Sequence, residues 1–127
     1  MLNFQAQSSV AAPHSAPAAQ AATFNGGAWI DVRQVEGDLM FLQSVGVVSG
    51  TAPTLDGKIQ DATDAAGTGA ADIAGATFTQ VVASTSMQKR TVVAKSTRGF
   101  VRYTGTITGT APSFLVAVTE LHTPKIV

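Results

Sequence analysis

Strict two-residue alternation is the feature that most constrains this chain. In "RGFVRYTGTIT" (Arg98–Thr108), Val101, Tyr103 and Ile107 fall on one side, and Arg102, Thr104 and Thr106 on the other. "PTLDGKIQ" (Pro53–Gln60) repeats the pattern, with Leu55 and Ile59 opposed to Asp56 and Lys58. A period of two marks a strand with one buried and one wet face. "DLMFLQSVGVV" (Asp38–Val48) is apolar at both parities, which predicts a central strand covered on both sides. Strands are also predicted at Thr77–Val82, Ser86–Lys95 and Ser113–Leu121, and one begins at Trp29-Ile30-Asp31-Val32 after the flexible Asn25-Gly26-Gly27. Ala62–Ala74 is alanine-rich enough for a short helix, but Gly67 and Gly69 argue for a loop. Strands at short spacing without a helical period predict an all-β fold. The expected form is a single β-sandwich, jelly-roll or immunoglobulin-like in connectivity.

A seven-residue phrase occurs twice: "SGTAPTL" (Ser49–Leu55) and "TGTAPSF" (Thr108–Phe114). Each copy sits between two strand patterns. Glycine supplies permissive backbone angles, and proline fixes its φ and ends amide donation. Two similar turns, each joining consecutive antiparallel strands, are therefore expected. A paired binding loop is the less economical alternative.

Composition shifts near Phe24. Residues 1–24 hold no formally charged side chain, two prolines and much Ala, Ser and Gln, with no sustained period of 2 or 3.6. This predicts an extended N-terminal arm ahead of a β-sandwich domain at residues 25–127. Such an arm is held either by a partner surface or by folding back on its own domain. Its apolar anchors for a partner are Leu2, Phe4, Val10 and Phe24, with Phe4 and Phe24 expected to seat in partner pockets.

Reactive groups are sparse. The eight basic and eight acidic residues cancel, and only Lys89 and Arg90 adjoin among the basic ones, so no basic stripe for nucleic acid is written. No apolar run approaches the ~18 residues of a membrane span. Without cysteine there is no thiolate chemistry and no disulfide. His14 and His122 stand in no metal-ligand spacing and each is expected to be a lone surface histidine, and no nucleophile elbow is present. Asp56, Asp61, Asp64 and Asp72 flank a Gly-containing loop but do not follow the calcium-loop pattern. Asp61 and Asp64 are expected to solvate a strand end and a turn. No catalytic, metal-binding or cofactor-binding residue is singled out, and the chain is not expected to be an enzyme. Lys89, Arg90, Lys95, Arg98 and Arg102 form the densest basic stretch. On strands Lys89 and Lys95 would share one face and Arg98 and Arg102 another, a solvated surface or one for an acidic patch on a partner. A carbohydrate-binding or receptor-facing sandwich would instead need an aromatic platform, for which Trp29, Phe100 and Tyr103 are the available rings.

Four segments carry a resemblance: Ile59-Gln60-Asp61, Phe78-Thr79-Gln80-Val81, Arg98-Gly99-Phe100-Val101-Arg102-Tyr103 and Thr108–Phe114. Over Trp29 to Leu121 the chain resembles small β-sandwich proteins of tailed bacteriophages, found among head genes and associated with the capsid. It departs at Asp61–Ile73, where similar proteins often carry a tighter Asp-Gly-rich turn, and residues 1–24 are unmatched. The resemblance implies a virion structural protein: a cement or decoration protein on the outer capsid surface, binding between major capsid protein subunits. It implies no catalytic residue. A homo-oligomer, with a trimer as the expected closed form, fits such a surface.

Overall fold

Two long strands organise the molecule. The computed structural model describes residues 10–124. Strand β4 (Asp38–Ala62, 25 residues) and strand β7 (Phe100–His122, 23 residues) run antiparallel from Met40↔Leu121 to Ala62↔Phe100. Strands usually have about 5–6 residues, and twist prevents one this long from staying in a single flat layer. Each therefore breaks in the middle, and the break is the duplicated phrase.

The two phrases are not separate hairpin turns. They lie opposite one another within the β4–β7 ladder, where pairing slips between Val45/Val48, Ser49/Thr51 and Thr51/Thr54. Ser49 pairs with Ser113, Thr51 with Thr110 and Thr54 with Thr108, so the phrases are related by a local dyad between Thr51 and Thr110. Backbone angles obey the same dyad. Gly50 and Gly109 have φ of 111° and 123°, and Ala52 and Ala111 have 49° and 48°. The local chemistry was read correctly, because these residues do take turn-like angles. What they turn is a paired ribbon, bent as a unit.

The bend makes two layers from one seven-stranded antiparallel sheet, and the fold is all-β and sandwich-like. The first layer holds β6 (Ser86–Val93), the first half of β4, the second half of β7 and β1 (Val10–Gln20). The second holds β5 (Ala71–Thr77), the second half of β4, the first half of β7, and the short β2 (Phe24–Asn25) and β3 (Ile30–Asp31). Asp38–Val48 and Pro53–Gln60 are thus halves of one strand, as are the last two predicted strands. The Thr77–Val82 strand lies differently: β5 ends at Thr77, and Val81 makes only a single bridge to Leu55. Of Ala62–Ala74, the middle is loop and Ala71–Ala74 joins β5.

One core fills the space between the layers. Leu39, Phe41, Val45, Phe114, Val116 and Val118 point in from the first layer, and Leu55, Ile59, Val101, Tyr103 and Ile107 from the second. Full burial of each such aliphatic or aromatic side chain contributes roughly 1.5–3 kcal/mol. Gln43 interrupts the apolar set. The Tyr103 hydroxyl donates to its Oε1 at 2.5 Å across the layers, and Gly57 leaves the room that a side chain there would take.

The division at Phe24 is not a structural boundary. Residues 10–20 are extended, as expected, but they pair with β7 of their own domain from Val10↔His122 to Gln20↔Phe114. Pro13 and Pro17 suit an edge strand, where a missing amide breaks no inner ladder. Folding back on the domain, the alternative reading of the arm, describes this stretch. Residues 1–9, with Leu2 and Phe4, lie outside the described residues.

Candidate functional site

The outer faces of the two layers are chemically opposite. On the second layer, the outward positions of β4 are Thr54, Asp56, Lys58 and Gln60. Lys58 and Gln60 both bind Asp72, at 3.1 and 2.9 Å, and the Gln80 amide donates to Asp56 at 3.0 Å. This face is a mesh of charge and amide, well suited to water.

On the first layer the same alternation places apolar groups outward. β4 presents Met40, Leu42 and Ser44; β7 presents Leu115, Ala117, Thr119 and Leu121; β6 presents Met87, Lys89, Thr91 and Val93. Register aligns them in rows, since Met40 faces Leu121 and Thr91, Leu42 faces Thr119 and Lys89, and Ser44 faces Ala117 and Met87. The side chain of Met87 is 73% exposed, that of Val93 47% and that of Leu115 42%, with Val47 at the bend 72% exposed. Lys89 is the single charged residue in these rows, and Asp38 closes them beside Val93. Neither makes an ion pair among the described residues. A contiguous dry patch of this kind marks a surface built to be covered.

The expected contact residues are dispersed. Phe24 is packed against its own core, its ring centroid 5.9 Å from that of Tyr103, and so is not seated in a partner pocket. Val10 opens β1 opposite His122. Arg98 and Arg102 do not share a strand face, because Arg98 precedes β7. Its guanidinium clamps Asp61, with Nη2 2.7 Å and Nε 3.1 Å from Oδ1 and the backbone amide 3.2 Å from Oδ2. Arg102 instead stacks on Trp29, 4.3 Å from the ring centroid. Lys95 falls in a 3-10 turn (Ala94–Ser96) beyond the end of β6. The aromatic trio forms no platform: Phe100 and Tyr103 are buried, and Trp29 is half-buried beneath Arg102 and the Gly67 loop.

Asp64 caps its own loop by accepting from the amides of Ala66 and Thr68 at 3.0 Å each. Asp56, Asp61 and Asp72 each serve a different partner, and no three His, Asp or Glu side chains gather as a metal site among the described residues. His14 is not the surface histidine expected, for it is buried. A bulge after Pro13 seats it inside, where its Nε2 accepts the Tyr103 amide at 3.0 Å and its ring meets Phe41 edge-on at 5.7 Å. Burial, aided by the Arg102 charge, lowers its pKa from 6.5 to about 4, so it is held neutral. His122 Nδ1 contacts buried Glu120 at the same end of the sandwich.

The apolar face did have a signal. "DLMFLQSVGVV" is apolar at both parities, which predicts a central strand covered on both sides, and "SFLVAVTEL" shares the pattern. β4 is central, but nothing in the chain's described residues lies over its outer side. The chain matches no protein-family model and no curated protein. Among solved structures, a chain from work on Bacillus endospore appendages, described as disulfide-linked pili, is similar over 92% of this chain and 86% of its own. The identity is 20% and the TM-score 0.41, a likeness that carries no functional argument.

Proposed function

We propose that this chain is a virion structural protein, a cement or decoration protein that stabilises a phage head by binding between major capsid protein subunits on its outer surface. The observation that supports this reading is the contrast between the two outer faces. One is laced with ion pairs and amides for solvent, and the other is an apolar plane for contact with other chains. A subunit of that kind works by area removed from water, at about 25 cal/mol per Å² of apolar surface, rather than by chemistry on a substrate. The resemblance over Trp29 to Leu121 supplies the setting, and uncharged residues 1–9, with Leu2 and Phe4, supply further apolar contact toward the shell.

The test is reconstitution on heads of the cognate phage that lack the protein. Added protein should bind to saturation in a fixed ratio to capsid subunits and raise the temperature at which the heads rupture. A variant lacking residues 1–9 should show reduced occupancy. Failure of the full chain to bind such heads at micromolar concentration would overturn the proposal.

A further inference from the structure

We infer that the cavity at the end of the sandwich far from the bend, between β1 and the loop before β3, is a binding site for an alkylammonium group, the chemistry of a lysine side chain or a free aliphatic amine. This site lies apart from the apolar sheet face. It is tested on the isolated chain, so it and the capsid reading can fail separately.

Both layers build the site. Phe114, Val116 and Val118 alternate inward along β7, and Glu120 takes the next inward place. There it pairs with Ala12 of β1 and Phe41 of β4, and it is only 3% exposed. On the other side, the Gly27 amide donates to the His14 carbonyl at 2.6 Å, an approach that a side chain on Gly27 would prevent. The cavity left there is about 300 Å³, at the lower end of the range for ligand pockets. Pro13, Ala28, Trp29 and Ile30 give it apolar walls, and Glu120 and His14 are its buried polar side chains.

Charge selects a cation. Among the described residues no lysine or arginine pairs with Glu120. Its Oε1 meets His122 Nδ1, and its other oxygen makes no hydrogen bond within the same set. A buried carboxylate with an open acceptor is costly, and a cation entering the cavity offsets that cost. Arg102 stacks on Trp29 but does not line the cavity, and His14 is held neutral, so neither puts a rival positive charge inside it.

The open acceptor narrows the class. A guanidinium wants both carboxylate oxygens, and His122 holds one, so the remaining oxygen suits the point charge of an ammonium. A metal ion would need several oxygen ligands, and no three His, Asp or Glu side chains gather among the described residues. The apolar walls take the methylenes behind the charged head.

Trp29 is the only tryptophan in the chain, so its indole N–H gives a single NMR signal that reports on the cavity. Titrating the purified chain at pH 7 with n-butylammonium should shift that signal saturably, with a Kd of ~1–10 mM for so small a ligand. The neutral analogue 1-butanol should bind about tenfold more weakly or not at all. Glu120→Gln should weaken n-butylammonium by about tenfold, with circular dichroism confirming a folded chain. Ala28→Leu, at an exposed position, should fill the cavity and abolish the shift with Glu120 intact. Nα-acetyl-lysine methylamide names the source of the ammonium. Affinity equal to that of n-butylammonium assigns the site to a lysine of a partner chain, and loss of binding assigns it to a free amine. Absence of a saturable shift with n-butylammonium overturns the inference, as does equal binding of 1-butanol. Undiminished binding to a folded Glu120→Gln or Ala28→Leu overturns it as well.

Discussion

His14 ties the edge strand β1 to the second layer by one hydrogen bond that only a neutral imidazole can accept. Protonation at Nε2 would set a donor against the Tyr103 amide and place a charge beside Phe41 and Arg102. Because its pKa is lowered to about 4 in the fold against 6.5 in a free chain, the unfolded state binds more protons between those values. Stability should thus be fully present above pH 6.5, fall as pH drops toward 4, and lose nothing more from this residue below that. The full shift corresponds to about 3 kcal/mol. Urea midpoints at pH 7, 5.5 and 4.5 should show this slope in the parent chain and its absence in His14→Ala, which starts lower because the Tyr103 amide is unpaired. Asp31, with its carboxylate pKa lowered to about 2 chiefly by its hydrogen bonds from Arg33, acts only at more acidic pH and does not blur the test. Nothing in the primary structure marked this histidine. Its burial depends on a bulge after Pro13 and on Gly26, which leaves space for the ring.

At the scale of elements, the duplicated phrase shows what local pattern can and cannot tell. Alternation in Pro53–Gln60 and Arg98–Thr108 placed Leu55, Ile59, Val101, Tyr103 and Ile107 inside correctly, because side-chain direction along a strand is set by the strand alone. Whether Gly-Thr-Ala-Pro ends a strand or bends it is decided by what lies opposite, and here that is the same phrase from the other half of the chain. The dyad makes a quantitative prediction. A Cβ at Gly50 would fall 2.7 Å from the Ala111 carbonyl oxygen, and one at Gly109 2.9 Å from that of Ala52, each at positive φ. Gly50→Ala and Gly109→Ala should therefore each cost about 2–3 kcal/mol, equal within experimental error. Two independent hairpins would give unequal values. Because both act on one bend, the double variant should lose less than the sum, measured by denaturant unfolding.

At the scale of the whole molecule, the line between body and N-terminal arm falls before β1 rather than at Phe24. Composition drew that line at Phe24, since a charge-free Ala, Ser and Pro segment has too little apolar surface to order itself. Pairing with β7 overrides the composition, because the ladder, the His14 anchor and the Phe24 contact with Tyr103 supply what the segment lacks. The apolar outer face was not legible, for the mirror-image reason: both parities of Asp38–Val48 are apolar, and a single chain cannot reveal that the second cover is missing. Two truncations separate body from arm. Removing residues 1–9 keeps β1 and should leave the melting temperature within about 2 °C of the parent. Removing residues 1–23 strips the edge strand, leaves the Tyr103 amide unpaired and uncovers Phe41. It should cost about 3 kcal/mol, a fall of roughly 10 °C for a domain of this size. If the shorter truncation destabilised as much as the longer, the N-terminal nine residues would belong to the body. Equal melting temperatures for all three chains would instead make β1 a strand laid loosely on a domain complete without it, and return its eleven residues to the arm.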